Sequence, residues 1–151
     1  MIKAIRTLIL SILLIAFNNL KSQSKPITKI EINQSHFNLD SDMKIIFTVT
    51  NITDDDYKFC FWQTPLEKSF SSDYFKITLD NKRIKYSGIL IKRASPTETD
   101  YFLLKPKQSI SEEINLKNSY MIDKKGKYKI TFIGSSINQL PNSNQLEFII
   151  N

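Results

Sequence analysis

Cysteine, histidine and glycine are scarce in this chain: 151 residues hold one of the first, one of the second and three of the third. A single thiol, Cys60, cannot close an internal disulfide, so the fold must be held by packing. A single imidazole, His36, cannot supply the neutral nitrogens of a multi-histidine metal site. Three glycines leave no glycine-rich loop to cradle a phosphate. Charge of one sign is nowhere concentrated. Lysines run along the whole chain and interleave with acids such as Asp54-Asp55-Asp56 and Glu112-Glu113, a solvated surface without the basic stripe of a nucleic-acid binder. No apolar run is long enough to span a bilayer, which takes roughly 20 residues.

What is present begins with a leader. Lys3 and Arg6 precede an apolar stretch from Leu8 to Phe17, and Ser22-Gln23-Ser24 puts small residues where a signal peptidase reads. Residues 1–24 are therefore expected to be a cleaved signal peptide, and residues 25–151 a single exported domain, secreted or periplasmic. No cysteine lies near the end of the apolar stretch to carry a lipid anchor, and no stable membrane insertion is expected after cleavage. Loss of the three leader cations takes the formal charge from +6 to +3.

The mature chain is patterned for strands. Met43, Ile45, Phe47 and Val49 alternate with Lys44, Thr48 and Thr50, the two-residue period of a half-buried strand. Ile27 to Asn33 reads likewise. Tyr57 to Trp62 is apolar in a row and is expected as a central strand covered on both sides. Asp73 to Leu79 and Arg83 to Tyr86 flank Asp80-Asn81-Lys82 and predict a hairpin. Further strands are predicted at 88–92, 101–104, 109–115, 127–133 and 145–150, with His36 in a link between the first two. No segment keeps helical spacing over three turns. The expected fold is all-β, an antiparallel sandwich. Gly126-Lys127-Tyr128-Lys129-Ile130 has the Gly-x-Tyr form of a tyrosine corner, whose hydroxyl returns to upstream backbone, and makes the sandwich immunoglobulin-like, with Trp62 on its strand C.

Spaced elements from Trp62 to Phe132 carry a family resemblance. They are Trp62-Gln63-Thr64-Pro65-Leu66-Glu67, Asp73 to Phe75, Tyr86-Ser87-Gly88, Lys92-Arg93-Ala94-Ser95-Pro96-Thr97, Asp100-Tyr101, Leu104-Lys105-Pro106, Ser109, Leu116, Tyr120 and Gly126-Lys127-Tyr128. In this stretch the chain resembles the non-catalytic N-terminal β-domain of secreted peptidyl-lysine metalloendopeptidases, relatives of deuterolysin. It departs from them at Asn81 and Lys107, where turn glycines are usual. Those enzymes carry a zinc domain with a His-Glu-x-x-His helix after the β-domain. With His36 alone and an end at Asn151, the chain is expected to lack that domain and not to be an enzyme.

No catalytic, cofactor-binding or metal-ligating residue is assigned. His36 reads as a solvated side chain, Cys60 as a small buried hydrophobe, and Asp54 to Asp56 as a solvated turn rather than a calcium loop. The candidates for protein contact or loop ordering are Thr64, Glu67, Lys92, Arg93, Asp100 and Tyr101. Pro96 stiffens the loop from Lys92 to Tyr101, and Arg93 has Asp100 or Glu67 as a carboxylate partner. Either the pair holds a self-satisfied loop, or the loop is a recognition surface. The implied function is a binding or regulatory module that engages a protein, a protease among the choices. The alternative is a structural or adhesive surface protein.

Overall fold

The computed structural model describes residues 25–151, so the leader and its cleavage after Ser24 lie outside the described residues. Ten strands form: β1 (Ile27–Ile32), β2 (His36–Phe37), β3 (Lys44–Thr50), β4 (Tyr57–Cys60), β5 (Phe75–Leu79), β6 (Lys82–Arg83), β7 (Tyr101–Leu104), β8 (Ser109–Asn115), β9 (Gly126–Phe132) and β10 (Leu146–Ile150). The helical segments are three single 3-10 turns, at Pro65–Glu67, Glu98–Asp100 and Leu116–Asn118. The all-β expectation holds. No helix among the described residues is long and apolar enough to cross a membrane.

One sheet has the order β1-β3-β8, a second β2-β10-β9-β5-β6, and β4 pairs with β7 as a two-stranded ribbon. Alternation sets the register. Met43, Ile45, Phe47 and Val49 are all fully buried, as their spacing predicts, and a slip of one residue would turn that whole set to solvent. They share one core with Phe75, Ile77, Tyr128, Ile130, Phe132 and Phe148 of the second sheet. Phe47 meets Phe132 with ring centres 4.8 Å apart.

The predicted corner forms. Tyr128 is fully buried, its ring stacks on Phe148 at 5.2 Å, and its hydroxyl donates to the Lys124 carbonyl at 2.6 Å. Gly126 opens it at φ +141°, where a side chain would be strained and a Cβ would meet Leu79 at 2.5 Å. The predicted hairpin forms in part, through Asp80 (φ 47°) and Asn81 (φ 65°): its second strand is Lys82–Arg83 rather than Arg83–Tyr86, and Tyr86 bridges to Tyr120 instead. Positive φ at both positions marks the two-residue turn that suits strand twist. Lys107 likewise sits at φ 65°. Both departures from glycine thus fall at left-handed positions, and both are accommodated without breaking a strand.

Four expectations are corrected. Pairing in the Tyr57–Trp62 run stops at Cys60, and β4 lies in the ribbon with Lys58 exposed, not in a sheet centre. Phe59 and Cys60, on opposite faces, are both fully buried, but beyond them Phe61 and Trp62 are only half-buried. Trp62 is therefore not on the strand beside β9. That place belongs to β5, whose Phe75 and Ile77 fill the core. Segment 88–92 is not a strand. Gly88 lies so close to Tyr86 and Ser119 that a Cβ would come within 2.6 Å of both hydroxyls, and beyond it the chain leaves the sheet, with Ile89 70% and Leu90 73% exposed. Finally, His36 and Phe37 form β2, parallel to the end of β10, a pairing too short to leave a periodic signature.

Candidate functional site

Where the sequence leaves β4, a chain of side-chain contacts ties segment 61–68 to segment 93–100. Thr64 is fully buried and caps the Pro65–Glu67 turn: its hydroxyl donates to the Phe61 carbonyl at 2.6 Å and accepts from the Leu66 N–H at 3.2 Å. Proline at the first position of that turn suits its fixed φ. The turn directs Glu67 inward, its side chain only 4% exposed. The carboxylate accepts the Gln63 N–H at 2.5 Å and both terminal nitrogens of Arg93, each at 2.9 Å. This fork-to-fork pair is the geometry for which arginine is suited and lysine is not.

Arg93 is held a second way, its guanidinium carbon 4.8 Å from the centre of the Trp62 ring. The indole N–H donates to Asp100 Oδ1 at 3.0 Å. Asp100 Oδ2 accepts from both the N–H and the hydroxyl of Thr97, each at 2.8 Å, closing a capping box around Glu98–Asp100. The Asp100 carbonyl receives the Phe61 N–H at 3.0 Å, which closes the circuit. These bonds hold the Asp100 carboxyl below its usual range, the Thr97 N–H first, then the Thr97 hydroxyl and the indole. Hydrogen bonds to Glu67 raise Arg93 further above its already high value.

The structure thus gathers Thr64, Glu67, Arg93 and Asp100 into one network and identifies Glu67, not Asp100, as the partner of Arg93. Lys92 and Tyr101 stand apart from it. Lys92 is exposed, and the Tyr101 ring carries the Lys58 ammonium at 4.8 Å, itself paired with Glu98. Trp62 joins the network although the sequence reading assigned it to the core.

Beside the network lies a groove of about 580 Å³, with Trp62, Ser71, Ile91, Arg93, Pro96 and Ile137 among its lining residues. Ser71 is 2% exposed, and its hydroxyl has no hydrogen-bond partner among the described residues. Ser71, Ile91 and Ile137 were missed from sequence. The legible signal was Ile89-Leu90-Ile91, three apolar residues in a row within an otherwise polar stretch.

The network's chemistry is hydrogen bonding and stacking, with both carboxylates saturated by donors. Elsewhere, Cys60 is buried and its thiol is pushed up, chiefly by that burial, which disfavours the reactive thiolate. His36 is exposed and lies 3.0 Å from the Ser35 hydroxyl. Asp54 and Asp56 pair with Lys107 and Lys105. Among the described residues no group of three or more His, Cys, Asp or Glu is placed to hold a metal ion.

No family model matches the chain. An extracellular protease of Aeromonas hydrophila is 31% identical to it over 98 residues. The match covers 65% of this chain and 28% of that protein, so the chain corresponds to under a third of the relative's length.

Proposed function

We propose that the chain is an exported, non-catalytic module that binds another protein, a protease being the first partner to test. The observation that carries this reading is the closed Glu67–Arg93–Trp62–Asp100 circuit. It spends its charges internally and holds the loop from Lys92 to Tyr101 in one shape, leaving Lys92 exposed and Tyr101 half-buried beside it. A preordered loop loses little freedom on binding, which favours association.

Similarity to part of an extracellular protease supports both export and a protease connection. The residues here offer one imidazole, where a His-Glu-x-x-His zinc site needs two, which supports a non-catalytic role. The Tyr128 corner and the parallel run of β2 along β10 support the immunoglobulin-like form of the sandwich.

The test is capture of proteases from the producing organism's culture supernatant on the immobilised protein. Capture is expected, and it should be lost in Lys92→Ala/Tyr101→Ala while the protein stays folded, its melt lowered only by the loss of the half-buried Tyr101 ring. Equal capture by the variant would remove the loop from the binding surface. Metal-dependent peptide cleavage by the purified chain would overturn the non-catalytic reading.

A further inference from the structure

Lysines are scattered along the sequence, and folding gathers them. Residues 73–87, 123–132 and 145–151, which build β5, β6, β9 and β10 with their turns, carry eight lysine and arginine side chains against four carboxylates. The rest of residues 25–151 carries ten against eleven. The net positive charge of the domain therefore resides on the five-stranded sheet, and the remainder is close to neutral.

Internal pairing leaves that excess in place. On the three-stranded sheet Lys29 and Lys44 each meet a carboxylate of their own, Glu31 at 2.7 Å and Glu113 at 3.0 Å. On the five-stranded sheet Lys127 and Lys129 share one, Glu147, at 2.5 and 3.7 Å. Arg83 is neutralised by Asp73 at 2.9 Å. Among the described residues Lys76, Lys82, Lys85, Lys124 and Lys125 form no ion pair, because the remaining carboxylates, Asp80 and Asp123, sit in the turns without a cation at bonding distance.

Strand register brings the amines together. Lys76 stands opposite Thr131, Thr78 opposite Lys129, and Glu147 opposite Lys129. The alternate residues Phe75, Ile77, Tyr128, Ile130 and Phe132 are buried, so Lys76, Thr78, Lys127, Lys129 and Thr131 share the outer face. Strands lie about 5 Å apart and same-face residues about 7 Å apart along a strand. Both spacings are within the screening length of about 8 Å at physiological salt, so these cations act on a ligand jointly.

The surface between them is polar. A trough of about 220 Å³ is lined by Lys76, Thr78, Lys129, Thr131, Asn142 and Gln145, with Ile133 its one apolar residue and no carboxylate. Thr78 and Lys129 also line a second trough of about 210 Å³, which Asn81, Lys127 and Asp80 complete. Hydroxyls and carboxamides both donate and accept, which suits the hydroxyls of a sugar. None of the exposed large apolar side chains lies on β5, β6, β9 or β10, so the face has no anchor for a membrane or for the apolar centre of a protein interface. Phe75, Tyr128, Phe132 and Phe148 are all buried, which leaves no ring on which nucleic-acid bases could stack.

We propose that the outer face of the five-stranded sheet binds an acidic polysaccharide, a chain of hydroxyl-rich sugars that carry carboxylates. Lys76, Lys127 and Lys129 meet the carboxylates, and Thr78, Thr131, Asn142 and Gln145 meet the hydroxyls. This surface shares no residue with the Lys92–Tyr101 loop, so it goes beyond the binding-module reading and is tested apart from it.

The purified protein is titrated over immobilised alginate, a polyuronate, with neutral dextran, polyglutamate, duplex DNA and phosphatidylglycerol vesicles as comparators. Alginate is expected to bind saturably and more tightly than any of them. Engagement of three amines should lower its affinity by roughly tenfold between about 50 and 200 mM salt. Lys76→Gln/Lys129→Gln should weaken binding by about tenfold at the lower salt and flatten the salt dependence. Lys29→Gln/Lys44→Gln removes the same charge from the other sheet and should change affinity by less than about twofold. All four lysines are at the surface, where ion pairs contribute little, so both variants stay folded. No binding of alginate at low salt, or equal loss in the two variants, overturns the proposal. So does dextran bound as tightly as alginate, or tighter binding of polyglutamate, DNA or vesicles, which gives the face to another class of ligand.

Discussion

Replacing Arg93 with alanine strands a carboxylate. Glu67 is 4% exposed and accepts three hydrogen bonds, two of them from Arg93. After the substitution only the Gln63 N–H remains to offset the burial of a charge. Breaking a buried pair from one side costs about 3–5 kcal/mol. The Arg93 side chain is itself 28% exposed, so water reaches the vacated side and brings the loss to or below the bottom of that range, about 2–3 kcal/mol. Unfolding entropy of about 2.1 cal/mol/K per residue over residues 25–151 makes that a fall in melting temperature of roughly 10 °C. Arg93→Lys keeps the charge but replaces the fork with a point donor, and should lose about half as much. Glu67→Gln should cost less than Arg93→Ala, because the arginine it frees lies at the surface and rehydrates. The sign of the double variant is diagnostic: Arg93→Ala/Glu67→Gln should be more stable than Arg93→Ala alone, since the buried charge is gone. Calorimetry and denaturant melts on the four variants measure this. A melt for Arg93→Ala within 1 or 2 °C of the parent, or a double variant no better than the single, would refute the reasoning.

Tyr128→Phe removes the 2.6 Å bond to the Lys124 carbonyl and should cost about 1–1.5 kcal/mol in denaturant melts. Asn51 is fully buried and donates to the Asp55 and Leu104 carbonyls at 2.8 and 2.9 Å; Asn51→Asp turns a carboxylate on both and should cost at least about 3 kcal/mol. Cys60, buried with its thiol pushed up by that burial, should react with an aromatic disulfide reagent only at the rate of unfolding. Asp100 is held below its usual value of 3.8, so its contribution to stability is present above that pH and fades as acid protonates it. The stability gap between the parent and Asp100→Asn should therefore be widest at neutral pH and close as pH falls through and below 3.8.

Long, half-buried strands were legible because alternation is local. Lys44–Thr50 and Gly126–Phe132 announce their buried faces residue by residue, and glycine and tyrosine at 126 and 128 mark a corner whose hydrogen bond spans only four positions. The Tyr57–Trp62 run misled for the opposite reason: hydrophobicity records burial without recording which neighbour provides it. Phe59 lies against Phe102, while Trp62 lies under Arg93, some 30 residues on. Segment 88–92 has β-rich composition but no strand to pair with, and pairing is a tertiary fact.

The choice between Asp100 and Glu67 as partner of Arg93 shows the same limit. Asp100 is nearer in sequence, yet its carboxylate is committed to the Thr97 N–H and hydroxyl and to the Trp62 indole. Glu67 has no competing cation, and the 3-10 turn started by Pro65 aims it inward. Local capping of Asp100 therefore decides a contact 26 residues long between Arg93 and Glu67. This division of labour also separates two roles that the sequence left as rivals. Arg93 works on the loop's stability, while Lys92 makes no bond within the network and stays exposed, so substitutions at Arg93 should move the melt and those at Lys92 should leave it unchanged.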